Sequence, residues 1–258
     1  GVLIIGHEGA HRREFVAGLA ARVEAIGFSP QADWSVAYDQ SKGSVVVRHR
    51  QGRAGRWTLR MPGAHNAANS AMAFALACTA GADATIVARS LSAFGGLERR
   101  CQLLGDRPIE GGTVRVYDDY GHHPTEVDAT LRAIREAELA RSNGGRLVVV
   151  FQPHQHSRTR FLLDEFATAF ASADAVVVPE IYFVRDSEAE KQRVSAVDLV
   201  ERLRERGVDA SHAHPFEAIV EKLERDCRPG DVVVVMGAGP VWRVAQQFMQ
   251  RARTAAHA

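Results

Sequence analysis

"VYDDYGHHPTEV", Val116 to Val127, runs from an apolar stretch through two aspartates, a tyrosine, a glycine and two histidines into a proline and a threonine–glutamate pair. Val114, Val116 and Tyr117 read as a strand, and the residues from Thr125 to Leu139 place apolar side chains at helical spacing. The run is too polar for a core and too specifically composed for an ordinary connector. It is the loop of a strand–loop–helix unit.

The same unit recurs downstream. Strands are expected at Leu147–Phe151, Ala175–Pro179, near Ala210 and in "DVVVVMG" (231–237), and helices over Thr159–Phe170, Ser195–Arg206, Phe216–Cys227 and Val241–Arg251. Strands alternating with amphipathic helices predict an α/β fold whose mainly parallel sheet is covered on both faces. Upstream the pattern differs: a strand at Val2–Ile5, a helix over Arg12–Ile26, then an antiparallel meander from Trp34 to Leu59. An alanine-rich helix follows over Asn66–Thr79 with Gly81 to end it, and another starts at Asp83 as N-cap and runs towards Phe94. Gly95 and Gly96 of "FGGLERR" break the pattern, so a domain boundary is expected between 1–94 and 95–258.

Composition narrows the function. A net charge of +1 leaves no electrostatic footprint for nucleic acid, and the arginines from Arg48 to Arg60 read as a solvated hairpin. Three widely separated cysteines without CxxC spacing exclude a compact zinc ribbon and point to a reducing compartment. No apolar run approaches the roughly 18 to 20 residues that span a bilayer. The expectation is a cytoplasmic protein with no nucleic-acid partner and no membrane contact.

In a parallel α/β sheet, ligands bind at the carboxyl ends of strands. That rule selects "DDYGHHPTE" (118–126), "QPHQHSRT" (152–159) and "GAGP" (237–240). An aspartate at a strand end can take both hydroxyls of a ribose, and neutral histidines can donate to phosphate oxygens or hold a reacting carboxylate. In the competing reading Thr125 caps a helix and the histidines are solvated. Arg158 can fork onto a carboxylate; alternatively Ser157 or Thr159 caps a helix and Arg158 is exposed. Asp118, Asp119, His122, His123, His154 and His156 could supply metal ligands, but adjacent residues rarely point at one ion and no HxxxH or HExxH occurs, so no metal is expected on them. The glycines of "GAGP" suit backbone approach to a ligand or tight packing equally. Asn66 and Asn69, one helical turn apart, can read an adenine edge, or one of them caps.

Taken in order, "PGAHNAAN", "GLERRCQ", "DDYGHHPTEV" and "FQPHQHSRT" resemble the Mur ligase family, in the branch that joins L-alanine to UDP-N-acetylmuramate. The resemblance covers nearly the whole chain but only the later part of such an enzyme. It implies that residues 1–94 are the end of a central ATPase domain and residues 95–258 a Rossmann-like C-terminal domain that receives the amino acid. The implied reaction uses ATP and Mg2+: the muramate carboxylate is phosphorylated, the amine of L-alanine attacks the acyl phosphate, and the intermediate collapses to amide, ADP and phosphate. Positioning and charge neutralisation carry such chemistry.

Residue by residue, the resemblance implies that Asn66 and Asn69 lie on the adenine side and that Arg100 reaches the ATP phosphates. Asp119 would bind ribose, His122 would lie near the reacting phosphate, and His123, His154 and Arg158 would contact substrate. Gln155 stands where the family usually has an arginine, Cys101 where an aromatic is usual, and Pro240 where a polar residue is common. No GxxxxGK[ST] run is present. The expectation is therefore a truncated chain, inactive alone, with its magnesium ligands mainly in a missing N-terminal part. Two alternatives stay open: an adenine-nucleotide-binding module without chemistry, and the sister ligase that adds a recycled tripeptide. A Rossmann-type oxidoreductase domain using "GAGP" ranks last, because this chain has no GxGxxG after the first strand and no acidic residue about 20 positions later.

Overall fold

The computed structural model describes residues 1–139 and 144–255. The chain is α/β and divides into two compact units, residues 1–96 and residues from Leu97 onward.

The first unit contains β1 (Val2–Gly6), α1 (Arg12–Val16), β2 (Arg22–Gly27), β3 (Trp34–Asp39), β4 (Ser44–His49), β5 (Ala54–Thr58), α2 (Ala64–Thr79) and α3 (Ala84–Ala93). Its strands lie side by side in chain order, β1 to β3 parallel and β3 to β5 antiparallel as the meander reading expects. The helix expected over Arg12–Ile26 is overturned: it ends at Val16, Gly18 turns the chain at φ 77°, and Arg22 onward pairs with β1. A five-residue helix that buries no side chain has little to hold it, whereas β2 gains a ladder on both sides. The later helices follow local chemistry, with Asp83 accepting from the Thr85 and Ile86 N–H groups. Phe74 of α2 fills the core, stacked on Trp57 at 5.1 Å and edge-on to Trp34 at 6.3 Å. Buried Glu24 is held by the Trp34 indole N–H at 2.7 Å and by Arg22 at 3.2 Å, which offsets the cost of its charge.

The second unit contains β6 (Gln102–Ile109), β7 (Gly112–Asp119), α4 (Pro124–Ile134), β8 (Leu147–Phe151), α5 (His156–Phe161), α6 (Leu163–Ala169), β9 (Ala175–Val178), α7 (Glu188–Lys191), α8 (Ala196–Glu205), β10 (Asp209–His212), α9 (Phe216–Asp226), β11 (Val232–Met236) and α10 (Trp242–Ala255). The sheet order is β10-β9-β8-β11-β7-β6, all parallel except β6. Helices α4, α6 and α8 cover one face through Leu131, Phe166 and Leu199. Helices α9 and α10 cover the other through Ile219 and Phe248.

Three expectations change here. Strand β6 was unforeseen because Gly105 and Pro108 interrupt its pattern. As an edge strand it tolerates Pro108, and Gly105 sits where the register shifts against β7. The helix expected over Thr159–Phe170 starts earlier and breaks at Leu162 into α5 and α6. The helix expected to run to Leu139 is α-helical only to Ile134 and continues as a π-helical turn, Arg135–Leu139.

Replacing Phe74 with alanine removes a ring that is fully buried. The expected cost is about 3–5 kcal/mol of first-unit stability, read as a lowered urea midpoint in the Trp34 and Trp57 fluorescence transition.

Candidate active site

Strand β11 is inserted between β7 and β8, so the carboxyl ends of three adjacent strands lie together. Their ends are stitched at one level: Gly237 N–H donates to the Asp119 carbonyl and Gln152 N–H to the Met236 carbonyl, each at 3.0 Å. The three polar segments chosen from the sequence emerge along this line. Gly237 (φ 146°) and Gly239 serve packing, since a Cβ on Gly237 would stand 2.7 Å from the Gln152 carbonyl and one on Gly239 2.6 Å from Gln152 Oε1.

Asp119, the last residue of β7, is only 4% exposed. Its Oδ2 accepts from Cys101 N–H and its Oδ1 from Gly121 N–H, both at 2.6 Å. A ribose hydroxyl would have to use the remaining lone pairs. Burial raises the Asp119 carboxyl above its ordinary value despite those N–H bonds. Asp118, 5% exposed, has an Oδ1 without a partner, and its Oδ2 lies 3.5 Å from Arg99 Nε. Burial pushes this carboxyl up to about 6 against the pull of Arg99.

The cap expected from Thr125 belongs instead to His123. The His123 ring nitrogen accepts from Thr125 N–H at 3.3 Å, while the Glu126 carboxylate accepts from the His122 and His123 N–H groups. A ring nitrogen can cap because the neutral imidazole retains one acceptor. Glu126 stands below its ordinary value: partial burial works the other way, but the His122 N–H and ring, then the His123 N–H, outweigh it. Arg100, half exposed, reaches Glu126 at 3.9 Å and lies 5.3 Å from the Tyr120 ring centre.

His122 and His154 come together from different strand ends, with ring centres 5.9 Å apart. His122 Nδ1 lies 3.1 Å from the Tyr120 carbonyl, so it carries the proton and Nε2 is the acceptor of the neutral ring. His154 has the opposite arrangement, because its Nδ1 stands 3.5 Å from Arg158 Nη1, which can only donate. Burial first, then Arg158, His122 and Arg185, hold the His154 imidazole below its ordinary value and keep it neutral. Neither Ser157 nor Thr159 caps α5: Gln155 occupies the cap position without a side-chain bond, and Asp186 accepts from Ser157 N–H at 2.9 Å.

Asn66 and Asn69 belong to the first unit, on the opening turns of α2. Asn66 Nδ2 donates to the Pro62 carbonyl at 2.7 Å, Gly63 holds the cap position, and Asn69 is exposed. Two contributors escaped sequence reading. Arg99, at φ 57°, donates to the Gly237 carbonyl at 2.5 Å and ties the loop after β11 to Asp118. The segment after β9 also joins the site, with Tyr182 bridging to His154 at 5.6 Å between ring centres. The strand-end rule applied to β9 would have found it. Among the described residues no three of His, Cys, Asp and Glu stand close enough together to hold a metal ion. No described helix is long and apolar enough to cross a membrane.

A family profile described as "Mur ligase, glutamate ligase domain" matches residues 99–239. The UDP-N-acetylmuramate–L-alanine ligase of Agathobacter rectalis is 36% identical over 97% of this chain and 53% of its own length. Among solved structures, the UDP-N-acetylmuramate-alanine ligase of Thermotoga maritima superposes with a TM-score of 0.69 at 23% identity, over 90% of this chain and 48% of that one. The MurF ligase of Thermotoga maritima in complex with ADP does so with a TM-score of 0.67 at 17% identity, over 99% and 54%. The chain belongs to the Mur ligase family. It spans about half the length of the curated relatives it matches.

Asp118 makes the site pH-sensitive. Because its native carboxyl, at about 6, holds a proton more tightly than the ordinary 3.8 of an unfolded chain, this group favours folding at low pH. That contribution is lost as pH rises from about 4 through about 6. Urea unfolding across this range is expected to show the decline in the parent chain, and Asp118→Asn is expected to reduce it, Asp119 carrying a further part in the same direction.

Proposed function

We propose that this chain is the later part of a ligase that joins L-alanine to the carboxylate of UDP-N-acetylmuramate at the expense of ATP, a step of peptidoglycan precursor synthesis. The observation that carries the reading is the convergence of His122, His154 and Arg158 from the loops after β7 and β8, the two strands that flank β11, forming a histidine and guanidinium cluster suited to an amino-acid carboxylate. Similarity to ligases named for this reaction supports it. In this reading residues 1–94 end the central nucleotide-binding domain and residues 95–258 form the domain that receives the amino acid.

Arg158 takes the carboxylate of L-alanine through its planar fork, and His154 donates from Nε2–H. His122, whose Nε2 can accept, lies near the reacting phosphate and can take the proton of the attacking amine. His123 contacts substrate from the start of α4. Arg100 reaches the ATP phosphates, Asp119 the ribose, and Asn66 and Asn69 the adenine. ATP would supply the phosphoryl group that activates the muramate carboxylate, and bound Mg2+ would supply charge neutralisation at its phosphates. No GxxxxGK[ST] run occurs in the 258 residues, so they are not expected to release ADP by themselves.

The test is ADP release by the longer protein with UDP-N-acetylmuramate and each amino-acid donor. L-alanine is expected to support turnover. Arg158→Ala is expected to raise the KM for L-alanine about tenfold or more while leaving that for ATP unchanged, the loss of one charge-assisted interaction. Asp119→Asn is expected to raise the KM for ATP instead. Turnover with a recycled tripeptide but not with L-alanine would assign the sister activity, which the exchange of an arginine for Gln155 makes the nearest competitor.

A further inference from the structure

Among the described residues four other than glycine have a left-handed backbone, a conformation that glycine or asparagine adopts far more readily. Gln155 at φ 69° and Arg185 at φ 50° form one pair, Gln155 Nε2 donating to the Arg185 carbonyl at 3.4 Å. Arg99 at φ 57° and Cys101 at φ 47° form the other, one on each side of Arg100. Two bonds knit this second pair to the end of β7 and the loop after it. Tyr120 N–H donates to the Arg99 carbonyl at 2.7 Å and Cys101 N–H to Asp119 Oδ2 at 2.6 Å. A strained backbone held this firmly marks a place where the chain gives up local stability to set a side chain.

The side chain so placed is that of Arg99. Its Nη2 donates to the Gly237 carbonyl at 2.5 Å and to the Gly239 carbonyl at 3.4 Å, and its Nε stands 3.5 Å from Asp118 Oδ2. The guanidinium carbon lies 5.0 Å from the centre of the Tyr120 ring. With its charge committed to these groups and a quarter of the side chain exposed, Arg99 acts on its neighbours and not on a ligand. Tyr120 is the neighbour that matters, because His122 leans on it twice. His122 Nδ1 lies 3.1 Å from the Tyr120 carbonyl, and the two rings meet edge to face at 5.4 Å. Two further groups flank His122: Glu126, whose Oε2 is 3.5 Å from Nδ1, and the His154 ring at 5.9 Å. Both acceptors face Nδ1, so the placement of the Tyr120 peptide helps to decide which ring nitrogen carries the proton.

We propose that Arg99 is a positioning residue for His122: by gripping Tyr120 and the loop after β11 together, it holds the Tyr120 carbonyl where that group fixes His122 in its Nδ1–H tautomer and leaves Nε2 free to accept a proton. The use made of that proton rests on the role given to His122 above; the tautomer itself does not. The loop from Gly237 to Pro240 then serves as the anchor, supplying two carbonyls to one guanidinium. Lysine is a poor substitute here, since a point charge lacks the planar fork that spans two carbonyls and lies over a ring.

The experiment reads the ring-nitrogen chemical shifts of His122 in the 258-residue chain at about pH 8.5, above the ordinary imidazole range, with backbone amide shifts as the check on folding. The parent is expected to show a single Nδ1–H form with Nε2 in the unprotonated range. Arg99→Gly puts the left-handed backbone at ease and removes only the side chain. It is expected to give mixed tautomers, with Nε2 moving towards the protonated range. Arg99→Lys, which keeps the charge beside Asp118, is expected to move the same signal in the same direction by less, and it decides alone if the glycine variant does not fold. Glu126→Gln, which keeps an acceptor near Nδ1, is expected to leave the Nδ1–H form intact. In the longer protein Arg99→Gly is expected to lower kcat about tenfold with the KM for ATP and for L-alanine unchanged, because the lost arrangement serves proton transfer. A parent-like His122 signal in the folded Arg99 variants overturns the proposal and leaves the ligase reading standing, and so does a tautomer that only Glu126→Gln releases. A tautomer released by Arg99→Gly, in a protein whose longer parent form shows no L-alanine-dependent ADP release, upholds the positioning role and overturns the ligase reading.

Discussion

The insertion of β11 between β7 and β8 is the constraint on which the second unit depends. All five residues from Val232 to Met236 are buried, so every backbone N–H and C=O of the strand must find a partner in the flanking strands. That requirement sets the register Val232↔Arg115 on one side and Val232↔Leu147 on the other. With both registers fixed, the three strands end at one level. At the opposite end Asp231, 1% exposed, takes Arg146 Nη2 at 2.7 Å and the Arg146 and Arg228 N–H groups. A one-residue slip of β11 would turn its whole side-chain set over and misplace both the ion pair and the loops.

The two ends of this sheet differ in how well their polar groups are satisfied. At the amino end, Glu138 accepts from Tyr117 Oη and Arg115, and Asp174 accepts from Arg135 and the Leu147 N–H. At the carboxyl end, Asp118 Oδ1, Arg99 Nε, Gln152 Oε1 and His156 Nδ1 are buried without a hydrogen-bond partner, against Nε and Nη1 of the single residue Arg107 near the amino end. Buried polar atoms are ordinarily paired, so such a cluster is stability given up in one place. It lies where His122, His154 and Arg158 converge. The tension belongs to the same strand ends that present Arg158 and His154.

Most of the sheet was legible because its strands are short apolar runs whose neighbours in space need not be known. Leu147–Phe151 and Val232–Met236 fall where hydrophobic runs place them. Strand β2 was not legible, since Val23 and Ile26 fit a helical spacing as well as a strand's and only the β1 ladder decides between them. Strand β6 was hidden by Gly105 and Pro108, which an edge position excuses. Within the site, His122, His154 and Arg158 could be picked out because a strand-end loop advertises its polar residues. Arg99 and Tyr182 act through partners far along the chain, Arg99 through Gly237 and Tyr182 through Pro153, and no local pattern announces such pairs.

The paired left-handed residues also bear on engineering. Glycine at 155 and 185 would relieve the backbone at φ 69° and φ 50°, so a redesign that scores folding alone would pick these positions early. Glycine at 155 would also remove the amide that donates to the Val184 and Arg185 carbonyls, so what the backbone gains there the loop after β9 loses in tethering to the start of α5.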